Sequence, residues 1–84
     1  MTTMKYRSRT DIVSQILESA NGGATKTQIM YKVFLNYEQL KEYLVILLRS
    51  GLLDYDPKTL RYKTAIKGLQ FLKTYNQMIE VMRA

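Results

Sequence analysis

The residues VFLNYEQLKEYL, positions 33–44, decide how this chain folds. Phe34 and Leu35 are followed at once by Asn36, whose short side chain can accept from the free N–H groups at a helix start. Beyond it Leu40, Leu44, Leu47 and Leu48 recur at i, i+4, i+7 and i+8, one apolar stripe at helical spacing. Before it Ile29, Met30 and Val33 form the inner face of a short helix over about 26–33. Thr25 with Gln28, and Asn36 with Gln39, each fit the capping-box pattern of a helix N-terminus. One helix therefore ends and another begins with almost no loop, and the two must cross at a large angle.

Outward from this corner the pattern stays readable. A first helix is expected over about 9–20, capped by Ser8 and carrying Ile12, Val13, Ile16, Leu17 and Ala20 on one stripe; Asn21-Gly22-Gly23 ends it. The third helix runs to Ser50 and stops at Gly51. After that the period changes. LLDYD and LRYKT flank Pro57-Lys58-Thr59, which reads as a two-stranded hairpin with Leu60 and Tyr62 on one face and Arg61 and Lys63 on the other. Thr64 is placed to cap a last helix over about 65–82, where Ile66, Leu69 and Leu72 can close the core. The order helix, helix, tight turn, helix, hairpin, helix is that of a winged helix-turn-helix: mainly α with a two-stranded β-hairpin wing. Three segments follow: a basic arm over 1–8, the winged domain over 9–64 and a C-terminal helix over 65–84.

Composition narrows the chemistry. The chain has 84 residues, no cysteine and no histidine, so thiolate chemistry, imidazole bases and the common zinc sites are excluded. Its seven acidic residues form no Asp-x-Asp cluster with loop glycines, so neither a metal nor another cofactor is expected, and we read the chain as no enzyme. Thirteen Lys and Arg against seven Asp and Glu leave +6, an excess that favours a polyanionic partner, nucleic acid ahead of membrane. No apolar run approaches the roughly 20 residues of a membrane span. The first ten residues, MTTMKYRSRT, hold no apolar signal core, so the expected location is cytoplasmic and nucleoid-associated.

The run KTQIMYKVFLNYEQLKEYLVILLRSGLL (26–53) followed by YKTAIKGLQFL (62–72) resembles the small archaeal winged-helix DNA-binding proteins, including the dimeric ten-a class of chromatin proteins. The matching features are K-T-x-I-M-Y on the second helix, L-N-Y-x-Q-L-x-x-Y-L around the third, and Y-K-T-x-x-K-G-L-x-F-L entering the last. The resemblance implies a winged-helix fold, homodimerisation through an antiparallel pair of C-terminal helices, and binding to double-stranded DNA in transcription regulation or chromatin packing.

The residues can be assigned roles within that frame. With its leucines inward, the third helix turns Glu38, Gln39, Glu42, Val45, Ile46 and Arg49 outward. Its charge is mixed, Lys41 and Arg49 against Glu38 and Glu42, so phosphate affinity is expected from its flanks and only modest base reading from the helix itself. Gln39 is a candidate for a paired contact to adenine, and Asn36 and Tyr37 for polar contacts at the helix start. The cationic candidates are Lys5, Arg7 and Arg9 in the arm, Lys26 and Lys32 on the second helix, Lys41 on the third, and Lys58, Arg61 and Lys63 in the wing, whose exit adds the charge of Lys67. Tyr43 and Tyr62 are expected to be half-buried packing residues.

In the last helix Leu72, Tyr75, Ile79 and Met82, widened by Met78 and Val81, follow the 3-4-3 rhythm of a two-helix coiled-coil seam, and a homodimer is expected. Two other readings stay open. Glu38, Glu42, Val45 and Ile46 would suit a winged helix that contacts another protein instead of DNA. RNA binding is less favoured, because few aromatics are expected to be exposed on a sheet platform.

Overall fold

The computed structural model describes residues 7–83 as seven elements: α1 (Arg9–Ser19), β1 (Ala24–Thr25), α2 (Lys26–Val33), α3 (Tyr37–Arg49), β2 (Leu53–Asp56), β3 (Arg61–Thr64) and α4 (Ile66–Arg83). The first three helices begin where short-range chemistry tells them to. Ser8, Thr25 and Asn36 each accept from the backbone N–H three residues on, and the side chains of Asp11, Gln28 and Gln39 return the bond to the cap N–H. Each reciprocal pair satisfies two donors that the helix itself leaves free.

The corner between α2 and α3 is held by three devices. Phe34 takes a left-handed conformation (φ 59°, ψ 47°) and its N–H, like that of Leu35, donates to the Met30 carbonyl. That conformation costs a bulky residue roughly 1–2 kcal/mol. Leu35 offsets the strain by entering the core, while the Phe34 ring is left outside at 84% exposure. Arg7 supplies the third device: its guanidinium donates to the Val33 carbonyl at 2.6 Å, to the Phe34 carbonyl at 3.4 Å and to the Gln15 side chain. A cation is thereby placed at the negative end of α2, where free carbonyls attract it.

The sheet has three strands in the order β1-β3-β2, all antiparallel, where the hairpin alone was expected. Two residues are too few to show alternation, and Thr25 serves both as strand residue and, in the same extended conformation, as cap of α2. Leu60 lies at the turn with φ 59°, 62% exposed, and not on the Tyr62 face of a strand. The core lies between this sheet and the helices. Ile16 and Leu17 from α1, Ile29 and Val33 from α2, Leu40, Leu44 and Leu47 from α3, and Leu53 from β2 are all buried. Leu48, read as part of the stripe, is partly exposed at its edge.

The last helix departs most from the expected reading. Thr64 does not cap it: the hydroxyl donates to the Leu17 carbonyl at 2.6 Å and is buried against α1. Ile66 and Leu69 face outward at 77% and 41% exposure. The buried stripe is instead Gly68 and Leu72, continued by half-buried Tyr75 and Ile79. Gly68 sits there because nothing larger fits: a Cβ would overlap the Leu52 carbonyl oxygen and meet Thr64 Cγ2 at 2.7 Å. Leu72 is therefore a core residue, and Tyr75 donates to the Asp11 carboxylate of α1 in the same chain. Both are withdrawn from the expected dimer seam. Past them Met78, Val81 and Met82 are exposed.

Candidate nucleic-acid interface

The sequence-predicted residues divide among four places around α3. Its outermost line is Glu38, Glu42, Val45 and Arg49, all exposed and opposite the buried leucines. Glu38, Lys41, Glu42, Val45 and Ile46 frame an open depression of about 380 Å³. Acid and apolar side chains share this surface, so it is poorly suited to attracting phosphate. Asn36 and Gln39 stand at its start, but their side-chain oxygens are engaged, Oδ1 by the Gln39 N–H at 2.8 Å and Oε1 by the Asn36 N–H at 3.1 Å. The two-point contact of Gln39 with adenine needs that Oε1 as well as the amide NH₂, and capping occupies one of the two Oε1 lone pairs and fixes the direction in which the amide points.

Cations stand on both sides of this line. On the wing side two ammonium groups approach the Tyr37 ring, Lys26 with Nζ 4.6 Å from the ring centroid and Lys41 at 5.9 Å. On the α1 side the Arg9 guanidinium sits 5.8 Å from the Tyr43 centroid. A cation over an aromatic face is attracted by the ring quadrupole while its remaining donors stay available to solvent or ligand. Tyr43 is half-buried as expected, and its ring also positions Arg9.

The wing divides its residues by face. Strand alternation turns Leu53, Tyr55, Tyr62 and Thr64 inward and Asp54, Asp56, Arg61 and Lys63 outward. The register sets Asp54 opposite Lys63 and Asp56 opposite Arg61, so each outward cation faces a carboxylate on the neighbouring strand. Lys58 stands free of that pairing at the exposed tip, where its backbone N–H donates to Asp56 Oδ1 at 2.9 Å. On the inner side Tyr55 and Tyr62 pack ring to ring, centroids 4.7 Å apart and tilted by 43°. Burial, then the neighbouring Tyr55 hydroxyl, raises the Tyr62 hydroxyl above its ordinary titration range. Thr25, Lys26, Thr27, Tyr55, Leu60 and Tyr62 line a second open cleft of about 380 Å³ beside Tyr37.

Two predicted contacts, Lys32 and Arg7, fall elsewhere. Lys32 lies on the opposite flank of α2 from Lys26, in a groove of about 660 Å³ shared with Tyr31, Gln28 and Arg61. Arg7 is engaged by the α2 carbonyls and holds the corner instead of reaching outward, and Lys5 lies outside the described residues. Lys67, counted with the basic wing exit, donates to the Ser50 carbonyl at 2.8 Å and closes the end of α3. Residue-by-residue reading missed the convergence of Tyr37, Tyr55 and Tyr62 with Lys26. The alternation of the strand placed Tyr62 inward, but only the register brings Tyr55 against it. Among the described residues no group of three or more acidic, His or Cys side chains is gathered as a metal site, and no helix is long and apolar enough to cross a membrane.

No curated protein matches the sequence. Among solved structures, the fold is similar to that of Sso10a-2, a DNA-binding protein from Sulfolobus solfataricus, with a TM-score of 0.82 and 23% identity over 92% of this chain and 83% of that one. The winged helix-turn-helix family profile matches residues 6–83, nearly the whole chain, and takes in the capped corner, the hairpin and the last helix together. By that match this chain belongs to the winged helix-turn-helix family.

Proposed function

We propose that the chain is a non-enzymatic, nucleoid-associated protein that binds double-stranded DNA as a homodimer, in transcription regulation or chromatin organisation. In this reading α3 enters the major groove, and its cationic flanks meet the phosphates on either side. The observation that carries it is the placement of Lys26 and Lys41 around Tyr37 on one side of α3 and Arg9 over Tyr43 on the other. An exposed helix with two cations on one side and one on the other is shaped for a groove bounded by two phosphate backbones. The fold shared with a DNA-binding protein adds support. Lys58 at the wing tip reaches the backbone next to that groove. Arg61 and Lys63 contribute less, because Asp56 and Asp54 oppose them.

The homodimer rests on the distal half of α4. Met78, Val81 and Met82 are exposed and Ile79 is half-buried, on a helix whose earlier turns are covered by α1. Packing them against the same turns of a second copy would bury them and pair two α3 helices for two half-sites. A protein partner on Glu38, Glu42, Val45 and Ile46 is the competing reading, favoured by the apolar depression there. Retention on random-sequence duplex at moderate salt separates the two. The DNA reading predicts retention that is lost with rising salt, and passage of the folded chain without retention would leave the protein-contact reading.

A further inference from the structure

We infer that the cleft between the start of α2 and the inner face of the wing is a binding site for an unpaired nucleobase of a single-stranded DNA or RNA. The cleft is walled by Tyr55, Leu60 and Tyr62 and rimmed by Thr25, Lys26 and Thr27. Its walls are of the wrong kind for phosphate alone. The donors that phosphate oxygens need stand at the rim, in Lys26 and the two threonines, whereas the walls are two tyrosine rings packed against each other and a leucine side chain. Leu60 is 62% exposed and Tyr55 40%, although both are large and apolar enough to be buried elsewhere. The turn keeps Leu60 there: its N–H closes on the Asp56 carbonyl at 2.8 Å and its φ is positive.

A base presents a flat π-face to such walls and stacks on them whatever its identity, provided a cation waits nearby for the attached phosphate. Lys26 fills that role. Its Nζ, 4.6 Å from the Tyr37 centroid, stands at the mouth of the cleft on the side of α3. No carboxylate lines the cleft, so nothing there repels the phosphate. A base inside a duplex cannot reach Tyr55, because both its faces are covered by neighbouring bases. The site therefore selects ends, gaps or free single strands, and it uses ring faces where duplex docking uses the outer line of α3.

The chain has seven tyrosines and no tryptophan, so its tyrosine fluorescence reports stacking directly. Oligothymidine and oligouridine of about 12 nucleotides are titrated into the full chain, alongside a duplex of equal length. The site predicts quenching by the single strands, a loss of affinity of roughly 5- to 100-fold in Tyr55→Ala, and affinity within about twofold in Tyr55→Phe, which keeps the ring. Leu60→Asn removes a wall at a left-handed position that asparagine tolerates, and should weaken single-strand binding while the melting temperature holds or rises. A preference for oligouridine or for oligothymidine names the natural strand, and either supports the site. Absence of single-strand binding, unchanged affinity in Tyr55→Ala, or an equal loss in Tyr55→Phe would overturn it. Duplex binding without single-strand binding removes this site and leaves the duplex reading in place, and the reverse result does the opposite.

Discussion

Helices α3 and α4 are both amphipathic, yet they expose themselves in different ways. α3 is held along its whole length by Leu40, Leu44 and Leu47, and it is open along one side. α4 is held over its first half, by Gly68, Leu72 and the bond of Tyr75 to Asp11, and is open around its end. A helix open along one side can be laid into a groove, whereas a helix open at one end offers turns that another helix can cover. In the proposed function the two exposures take different partners: nucleic acid for α3 and a second copy for α4.

The point where α4 joins the core is the most sensitive part of that comparison. Gly68→Val would drive a branched side chain into the Leu52 carbonyl and Thr64. We expect a loss of about 3 kcal/mol or more, which for a chain of this size lowers Tm by more than about 12 °C in a calorimetric melt. An unchanged Tm would mean that α4 is not anchored there. Next in size, Ile79→Glu places a charge in the distal stripe. Sedimentation at micromolar concentration should show a dimer for the unmodified chain and a monomer for the variant, with duplex affinity reduced at least about tenfold because two half-sites no longer act together. An unmodified chain that sediments as a monomer would remove the second copy from the account.

A smaller effect marks the place where α4 leaves α1. Asp11 accepts from the Tyr75 hydroxyl and from the Ser8 N–H, and these bonds, with Arg7 nearby, hold its carboxyl below the ordinary value of 3.8. A group whose folded-state value is depressed contributes stability above its unfolded value and loses it as the pH falls through the folded one. Acid melts should therefore show this contribution intact above about pH 4 and declining below it, with the decline shallower in Tyr75→Phe. The same bond raises the Tyr75 hydroxyl above its ordinary 10.0. That contribution is present below about pH 10 and lost as alkali takes the pH through the raised value.

Much of the winged domain was legible because its signals are local. A cap and its partner are three residues apart, and the leucines of α3 repeat at a spacing that only a helix brings to one side. What escaped needed knowledge of partners distant in sequence. Periodicity put Leu72 and Tyr75 on one face of α4, but it cannot say whether that face meets α1 or another chain. Arg7 meets carbonyls 26 and 27 residues away, which no local pattern announces. Arg61 and Lys63 were correctly read as outward, yet their charge is opposed by Asp56 and Asp54 through a register that only the folded hairpin reveals. β1 was too short to show any period.

That last distinction also yields the sharpest test. Affinity for a duplex should be measured against salt for Lys26→Ala/Lys41→Ala and for Arg61→Ala/Lys63→Ala. If the backbone runs along the flanks of α3, the first pair flattens the slope of log affinity against log salt by about 1.8, near 0.9 for each lost phosphate contact, and the second pair changes it much less. An unaltered slope in the first pair, or a larger change in the second, would contradict docking at α3.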